Sequence, residues 1–306
     1  MAEFSGMSDE LTDVLQEAEY VLRMSVPGHL PGVHRGALPG TSGRFLGYTT
    51  LLHRMDLKHI DPVATRRALS PVPLVRLHRS TVAVTVVALV DLSASMGFRG
   101  RVARMGEVAR LCACLAYSAY RLGDRFMLVG YGEDVRLYMP PGRSPHRPLE
   151  VGQTLGRWTP EDRHVGGLKK ALHLLPANPC LVFWISDFYM PEALLHHGLA
   201  CVRRPDAIAV VLRDTFETEG PAHSGWTTLS DPETGLRRSL WLRPGLRDRW
   251  RAAVQRWDEA IRRACRRWDV DVLFVRDRLE VGQLVRFFLE RRWLVWSSCS
   301  SSPRPR

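Results

Sequence analysis

The sequence is poor in lysine and lacks long apolar runs. The only lysines are Lys58, Lys169 and Lys170, so arginine supplies almost all of the positive charge behind the formal net charge of +11. No apolar run reaches the roughly 18 to 20 residues that span a bilayer, which predicts no membrane span. The polar, acidic start of the chain lacks the pattern of a secretory signal peptide. We therefore expect a cytoplasmic protein.

Cysteine is used without the spacing of a metal or redox site. The 6 cysteines include no CxxC pair, which argues against a zinc ribbon and against a dithiol redox centre. Cys112, Cys114 and Cys180 lie in apolar helix or strand patterns, where a free thiol behaves as a small core residue. Reduced thiols are consistent with the cytoplasm.

Several common catalytic signatures are missing as well. The chain has no Walker A sequence, no Gly-x-Ser-x-Gly elbow and no HExxH motif. These absences argue against ATP hydrolysis, against a serine hydrolase of that type and against a zinc protease of that type. We expect no enzymatic activity, and a metal-dependent hydrolase built on paired carboxylates stays open as an alternative.

The arginine excess leaves a second alternative, a basic protein that binds nucleic acid through phosphate contacts. The helical pattern at 246–268 carries two arginine pairs, at 262–263 and 266–267, together with Trp250, Trp257 and Trp268. Arginines are nevertheless spread through every segment, and tryptophans in one amphipathic helix are typical of packing on a sheet. The pattern favours a solvated basic surface over a nucleic-acid interface.

Apolar strands alternate with amphipathic helical patterns from residue 81 onward. The strands are continuous apolar runs, predicted at 81–90, 124–131, 180–185 and 207–212. Such runs indicate a mostly parallel sheet that helices cover on both faces. We expect a doubly wound, Rossmann-like α/β domain over 81–292.

The remaining segments are short. Apolar residues at helical spacing predict a helix over 1–24. Residues 25–80 are rich in Gly and Pro, which predicts a connector with little regular structure up to about Gly47 and then edge strands. These strands would form a small β extension that packs on the core. The Ser-, Pro- and Arg-rich tail at 293–306 has the composition of a disordered segment.

Polar residues follow the first strand of the predicted sheet at alternate positions. Asp91, Ser93 and Ser95 come directly after an apolar run, and Asp187 follows a later strand. Because the carboxyl ends of parallel strands share one edge, we expect the two carboxylates to converge. Oxygen ligands of this kind suit Mg²⁺, and also Mn²⁺ or Ca²⁺. The plain alternative is a turn whose polar side chains satisfy backbone donors at a helix start.

These residues resemble the metal-ion-dependent adhesion site of von Willebrand factor A domains. More narrowly, the chain is similar to bacterial von Willebrand A proteins that are encoded beside MoxR-type AAA+ ATPases. The likeness covers roughly residues 30–292. It rests on segments that include Gly43-Arg-Phe-Leu-Gly-Tyr48, Arg121-Leu-Gly-Asp124-Arg125 and Met139-Pro-Pro-Gly142-Arg143. The segment before the first sheet strand, at 53–62, diverges from the family pattern.

The resemblance implies that Asp91, Ser93 and Ser95 form the first metal loop and that Asp187 helps to hold the metal, partly through water. The family's threonine ligand is missing, since Gly166 or Val165 falls at its position in the third metal loop, and Thr159 or Asp162 could replace it only in a rearranged loop. The site would then bind metal weakly, bind it only with a partner's carboxylate, or be vestigial. An acidic side chain of a partner would complete the site. The implied role is a non-catalytic adaptor or co-chaperone of a MoxR-type AAA+ ATPase, acting in maturation of a client protein or insertion of its metal or cofactor. Some relatives are encoded with methanol dehydrogenase.

Overall fold

A computed structural model describes residues 31–53, 57–68, 71–178, 180–202, 206–220, 225–242, 244–280, 282–284, 286–288 and 290. The helix predicted over 1–24 and the tail predicted over 293–306 lie outside these residues. The described chain divides into two compact units, one up to Val84 and the other from Thr85 onward.

The first unit is a two-stranded antiparallel sheet with one short helix. Strand β1 (Pro31–Thr50) pairs with β2 (Leu74–Val82), and helix α1 (Pro62–Arg67) lies between them in the sequence. The prediction of an irregular connector up to Gly47 is therefore wrong, since its described part, from Pro31 onward, pairs as a strand. The strand register shifts beside the Pro-Gly steps, because proline lacks an amide hydrogen and glycine favours bulges.

The second unit is built on a six-stranded sheet with the spatial order β10-β7-β6-β3-β4-β5. Its strands and a separate β8–β9 hairpin are, in chain order, β3 (Thr85–Asp91), β4 (Arg125–Tyr131), β5 (Val135–Gly142), β6 (Cys180–Ser186), β7 (Asp206–Arg213), β8 (Gly225–Ser230), β9 (Arg237–Leu242) and β10 (Asp271–Arg276). Neighbouring strands of the sheet run parallel except at the edge, where β5 pairs antiparallel with β4. The predicted mixed α/β class with a mostly parallel sheet is confirmed.

Helices connect the parallel strands. They are α2 (Arg104–Leu122), α3 (Arg147–Gly156), α4 (Leu168–His173), α5 (Glu192–Val202), α6 (Thr215–Glu219) and α7 (Pro244–Arg267). Residues 282–284 and 286–288 are also helical. None of the described helices is both long enough and apolar enough to cross a membrane.

Both faces of the sheet are buried, which is why its central strands read as continuous apolar runs. Leu89 of β3 lies in one core cluster with Leu199 of α5 and Ile261 of α7. Ala88 and Val90 point to the opposite face, because side chains alternate along a strand, and both are fully buried. Helix α2 contacts β3 and β4. Apolar residues are therefore favoured at positions 86–90 of β3.

The tryptophans of α7 pack inward. Trp257 packs against the core cluster and donates its indole N–H to the Phe188 carbonyl at 3.2 Å. Trp250 donates its indole N–H to the Glu217 carbonyl at 2.5 Å. Indoles whose N–H groups are satisfied inside the protein favour a packing role over base stacking.

Candidate metal centre

The polar motif after β3 folds into a tight loop around one carboxylate. Asp91 is 1% exposed, and its Oδ1 accepts hydrogen bonds from the Ser93 backbone N–H at 2.9 Å and from the Ser93 hydroxyl at 2.7 Å. The hydroxyl oxygens of Ser93 and Ser95 lie 3.1 Å apart. A 3-10 turn over Ala94–Gly97 follows directly. The alternate spacing therefore brings all the polar side chains of the motif to one point.

The second predicted carboxylate lies at the end of the neighbouring strand. Asp187 directly follows β6, which pairs with β3, and the residue is buried. The preceding Ser186 donates its hydroxyl to Asp91 Oδ2 at 2.7 Å and so ties the two strand ends together. Asp187 Oδ1 accepts from the backbone N–H of Tyr189 at 3.1 Å. The two carboxylates thus meet at one edge of the sheet, as parallel pairing requires.

The turn that carries Asp187 is held in an unusual backbone conformation. Phe188 has a φ of 56°, in the left-handed region that costs a bulky residue about 1–3 kcal/mol. Its buried ring packs at 4.9 Å from the ring of Trp184, and its N–H donates to the Ser186 hydroxyl at 2.8 Å. This packing holds the turn closed over the end of β6.

Asp91 has no cationic partner among the described residues, although Asp187 does. Burial, and then the charge of Asp187, raises the pKa of Asp91 to about 7. The hydrogen bonds from Ser93 and Ser186 act in the opposite direction. Because an uncompensated buried carboxylate is costly, a cation bound here would stabilise the ionised form.

The donor set fits a small divalent cation. Two adjacent ligands of an octahedral Mg²⁺, each at about 2.1 Å, lie about 3 Å apart, and the Ser93 and Ser95 hydroxyls are separated by 3.1 Å. The described residues contain no group of three or more His, Cys, Asp or Glu arranged for a metal, so a cation here would depend on the two serine hydroxyls. Asp91 and Asp187 would then supply the negative charge.

No sequence signal singled out Arg104, the buried cation of this site. Its side chain is 5% exposed, and its Nη1 donates to Asp187 Oδ2 at 3.1 Å and to the Ser95 carbonyl at 2.9 Å. The other guanidinium nitrogen, Nη2, pairs with Glu217, a carboxyl whose pKa burial raises. Arg104 therefore neutralises Asp187 and fixes the backbone of the serine loop. In the sequence it is one arginine among many.

The loop at 159–166, where the family carries its threonine ligand, reaches the serine loop at Asp162 and not at Gly166. The N–H of Gly166 bonds within its own loop. Asp162 instead lies beside the serine loop, where its carbonyl accepts from the N–H of Ala94 at 2.7 Å. The Asp162 carboxylate is held by two hydrogen bonds of 2.7 Å from Arg136. The loop therefore approaches the site through its main chain.

Several known proteins are similar to this chain in sequence or in structure. An uncharacterised protein of Mycobacterium tuberculosis is 26% identical over 292 residues, which cover 92% of this chain and 90% of the relative. An uncharacterised protein of Paracoccus denitrificans, described as lying in the moxR 3' region, is 40% identical over 81 residues, or 26% of this chain and 72% of the relative. The crystal structure of the conserved hypothetical protein BatB from Bacteroides thetaiotaomicron aligns with 70% of this chain and 100% of its own, at a TM-score of 0.44 and 13% identity.

A family model also matches most of the second unit. It is described as a protein of unknown function, DUF58, and it matches residues 56–260. The match includes the serine loop after β3 and the carboxylate after β6, and it extends over more than half of the chain. The chain therefore belongs to the DUF58 family.

Proposed function

We propose that this DUF58 protein is a non-catalytic interaction module with a von Willebrand factor A-like fold and an adhesion-type site for Mg²⁺ or a similar divalent cation. The observation that carries this proposal is the convergence of Asp91 and Asp187 with the hydroxyls of Ser93 and Ser95. This convergence lies beyond the carboxyl ends of parallel strands, where ligands collect in open α/β sheets.

The engaged carboxylates favour binding over hydrolysis. Both oxygens of Asp91 accept hydrogen bonds, from Ser93 and from Ser186. Both oxygens of Asp187 are also engaged, by Arg104 and by the Tyr189 N–H. A general base needs a carboxylate that is free to take the proton that it removes, and both of these already accept hydrogen bonds from protein groups. A bound cation would instead supply one open position for a carboxylate of a partner.

The partner that we propose is a MoxR-type AAA+ ATPase. The Paracoccus denitrificans relative, described as lying in the moxR 3' region, supports this choice. An acidic side chain of the ATPase or of a client protein would complete the metal site. The complex would act in the cytoplasm, as an adaptor or co-chaperone in maturation of the client or in insertion of its metal or cofactor.

Titration with Mn²⁺, followed by calorimetry and by electron paramagnetic resonance, tests the metal site. Wild-type protein should bind one ion per chain, and Ser95→Ala should weaken binding at least about tenfold because it removes a ligand. Ser144→Ala is the matched control, since it removes a hydroxyl that bonds only to the nearby His146 N–H in the described contacts. Equal affinities for all three proteins would contradict the site.

Capture of a MoxR-type ATPase from the same organism tests the partnership. Immobilised wild-type protein should retain the ATPase in Mg²⁺ and lose it in EDTA, whereas Ser95→Ala should lose it in both buffers. Retention that EDTA and Ser95→Ala leave unchanged would overturn the metal bridge while keeping the partner. Failure to retain the ATPase under every condition would overturn the partnership.

A further inference from the structure

The β8–β9 hairpin ends in a well-defined turn. Asp231 Oδ1 accepts from the N–H of Glu233 at 2.9 Å, and its Oδ2 accepts from the Thr234 hydroxyl at 2.6 Å. The N–H of Gly235 bonds to the Asp231 carbonyl at 2.9 Å. Gly235 has a φ of 68°, which a glycine adopts without strain. The turn residues thus fix the backbone from which the Glu233 side chain projects.

Glu233 reaches from this turn to the proposed metal site. Its carboxylate lies beside the Ser95 side chain, and it is near enough to Asp187 for their charges to repel. It is half-buried, whereas Asp231 and Thr234 beside it are exposed. The only residue of the turn that is withdrawn from solvent is therefore the one that contacts the serine loop.

A cavity beside the serine loop includes one residue of the hairpin turn. The cavity has a volume of 540 Å³ and is lined by Pro232 of the turn, by Ala94 and Gly97 of the serine loop, by Arg104 and by the 159–163 loop. Three segments that are distant in the sequence therefore enclose one space. The serine loop forms one of its walls.

We propose that Glu233 is the chain's own occupant of the position that a partner carboxylate would take beside Ser95, so that the β8–β9 hairpin closes the site in the free protein. This inference rests on the proposed function, because it assigns a role toward the same cation. A partner acid can enter only when the hairpin moves away.

The charge balance around Asp187 favours a bound cation. Glu233 adds a negative charge near Asp187, and Arg104 is shared between Asp187 and Glu217. Carboxylates that lie near one another repel. A divalent cation held by the serine loop would turn the same arrangement into an attraction.

The hairpin is also lightly attached, as a movable cover requires. Within the described parts of β8 and β9, no side chain is fully buried. Trp226 and Trp241 stack edge to face at 5.7 Å and are 74% and 52% exposed. Segments with few buried apolar contacts open at low free-energy cost.

Mn²⁺ affinity and amide hydrogen exchange of the full chain test this inference. Glu233→Gln should weaken Mn²⁺ binding about tenfold, the usual cost of losing a supporting group at a metal site. Mg²⁺ should slow amide exchange across 225–242 in wild-type protein and leave it unchanged in Glu233→Gln. The matched control is Glu161→Gln, which removes the same charge from another residue lining the cavity and should behave like wild type.

Competition with a partner gives a second measurement, in which Glu233→Gln should strengthen binding of the ATPase although it weakens binding of Mn²⁺. In the capture experiment at saturating Mg²⁺, Glu233→Gln should retain more ATPase than wild type, because the competing carboxylate is gone. If Mn²⁺ affinity, hairpin exchange and ATPase retention in Glu233→Gln all equal those of wild type, the inference is wrong and the metal site stands. If wild type and Glu161→Gln bind no Mn²⁺, the metal site is wrong and the role of Glu233 fails with it.

Discussion

Replacement of Arg104 by methionine should strongly destabilise the second unit. Methionine retains much of the side-chain length but removes the cation that pairs with Asp187. The Arg104 and Asp187 side chains are 5% and 3% exposed, so water cannot take over the lost contact. Loss of one partner from a buried pair costs about 3–5 kcal/mol, because the other charge stays buried and unpaired.

Two further variants separate charge from general disruption. Arg104→Lys keeps the charge but cannot reproduce the planar contacts to Asp187, Ser95 and Glu217, so we expect a smaller loss, about 1–2 kcal/mol. Arg136→Met is the matched control, since Arg136 also forms two hydrogen bonds to one carboxylate, that of Asp162, but is 42% exposed. Exposed pairs contribute no more than about 1 kcal/mol.

Urea unfolding, followed by circular dichroism and tryptophan fluorescence in EDTA, measures these differences. A double-mutant cycle with Asp187→Asn isolates the coupling between Arg104 and Asp187, for which we expect about 1–3 kcal/mol. If Arg104→Met lost no more stability than Arg136→Met, or if the coupling were near zero, the buried pair would not be the anchor of this site.

Two other predictions concern the sheet edge and its packing. The folded protein holds the Asp91 proton more tightly than the unfolded chain, with a pKa of about 7. In EDTA, the contribution of Asp91 to stability should therefore fall as the pH rises from about 4 to 7, because the unfolded chain releases this proton at the lower pH. Asp91→Asn should flatten this profile in urea unfolding, and parallel profiles would contradict the assignment. Gly198→Ala should cost about 1–3 kcal/mol, because its Cβ would lie 2.3 Å from the Trp184 ring. Gly245→Ala has no atom within 4 Å of its Cβ and should not lower stability; equal losses would refute the packing argument.

Much of the fold could be predicted from the sequence because burial on both faces leaves a strong local signal. A strand that contacts helices above and below needs apolar residues along its buried length, so β3 up to Val90 and β6 up to Ile185 stand out as continuous runs. The Gly- and Pro-rich start of the first unit predicted irregular structure, although the segment forms strand β1. Its pairing as β1 depends on β2, a strand distant in the sequence, and local composition cannot report such a partner.

The candidate site likewise has residues that the sequence predicted and residues that only the structure revealed. The sequence by itself determined that Asp91, Ser93, Ser95 and Asp187 follow strand ends, because their types and spacing are local properties. Only the tertiary structure decided that Arg104 neutralises Asp187 and that Glu233 faces Ser95. A charged residue looks the same in a sequence whether it is solvated or buried. Its role depends on which distant carboxylate or hydroxyl the folded chain brings within a few ångströms of it.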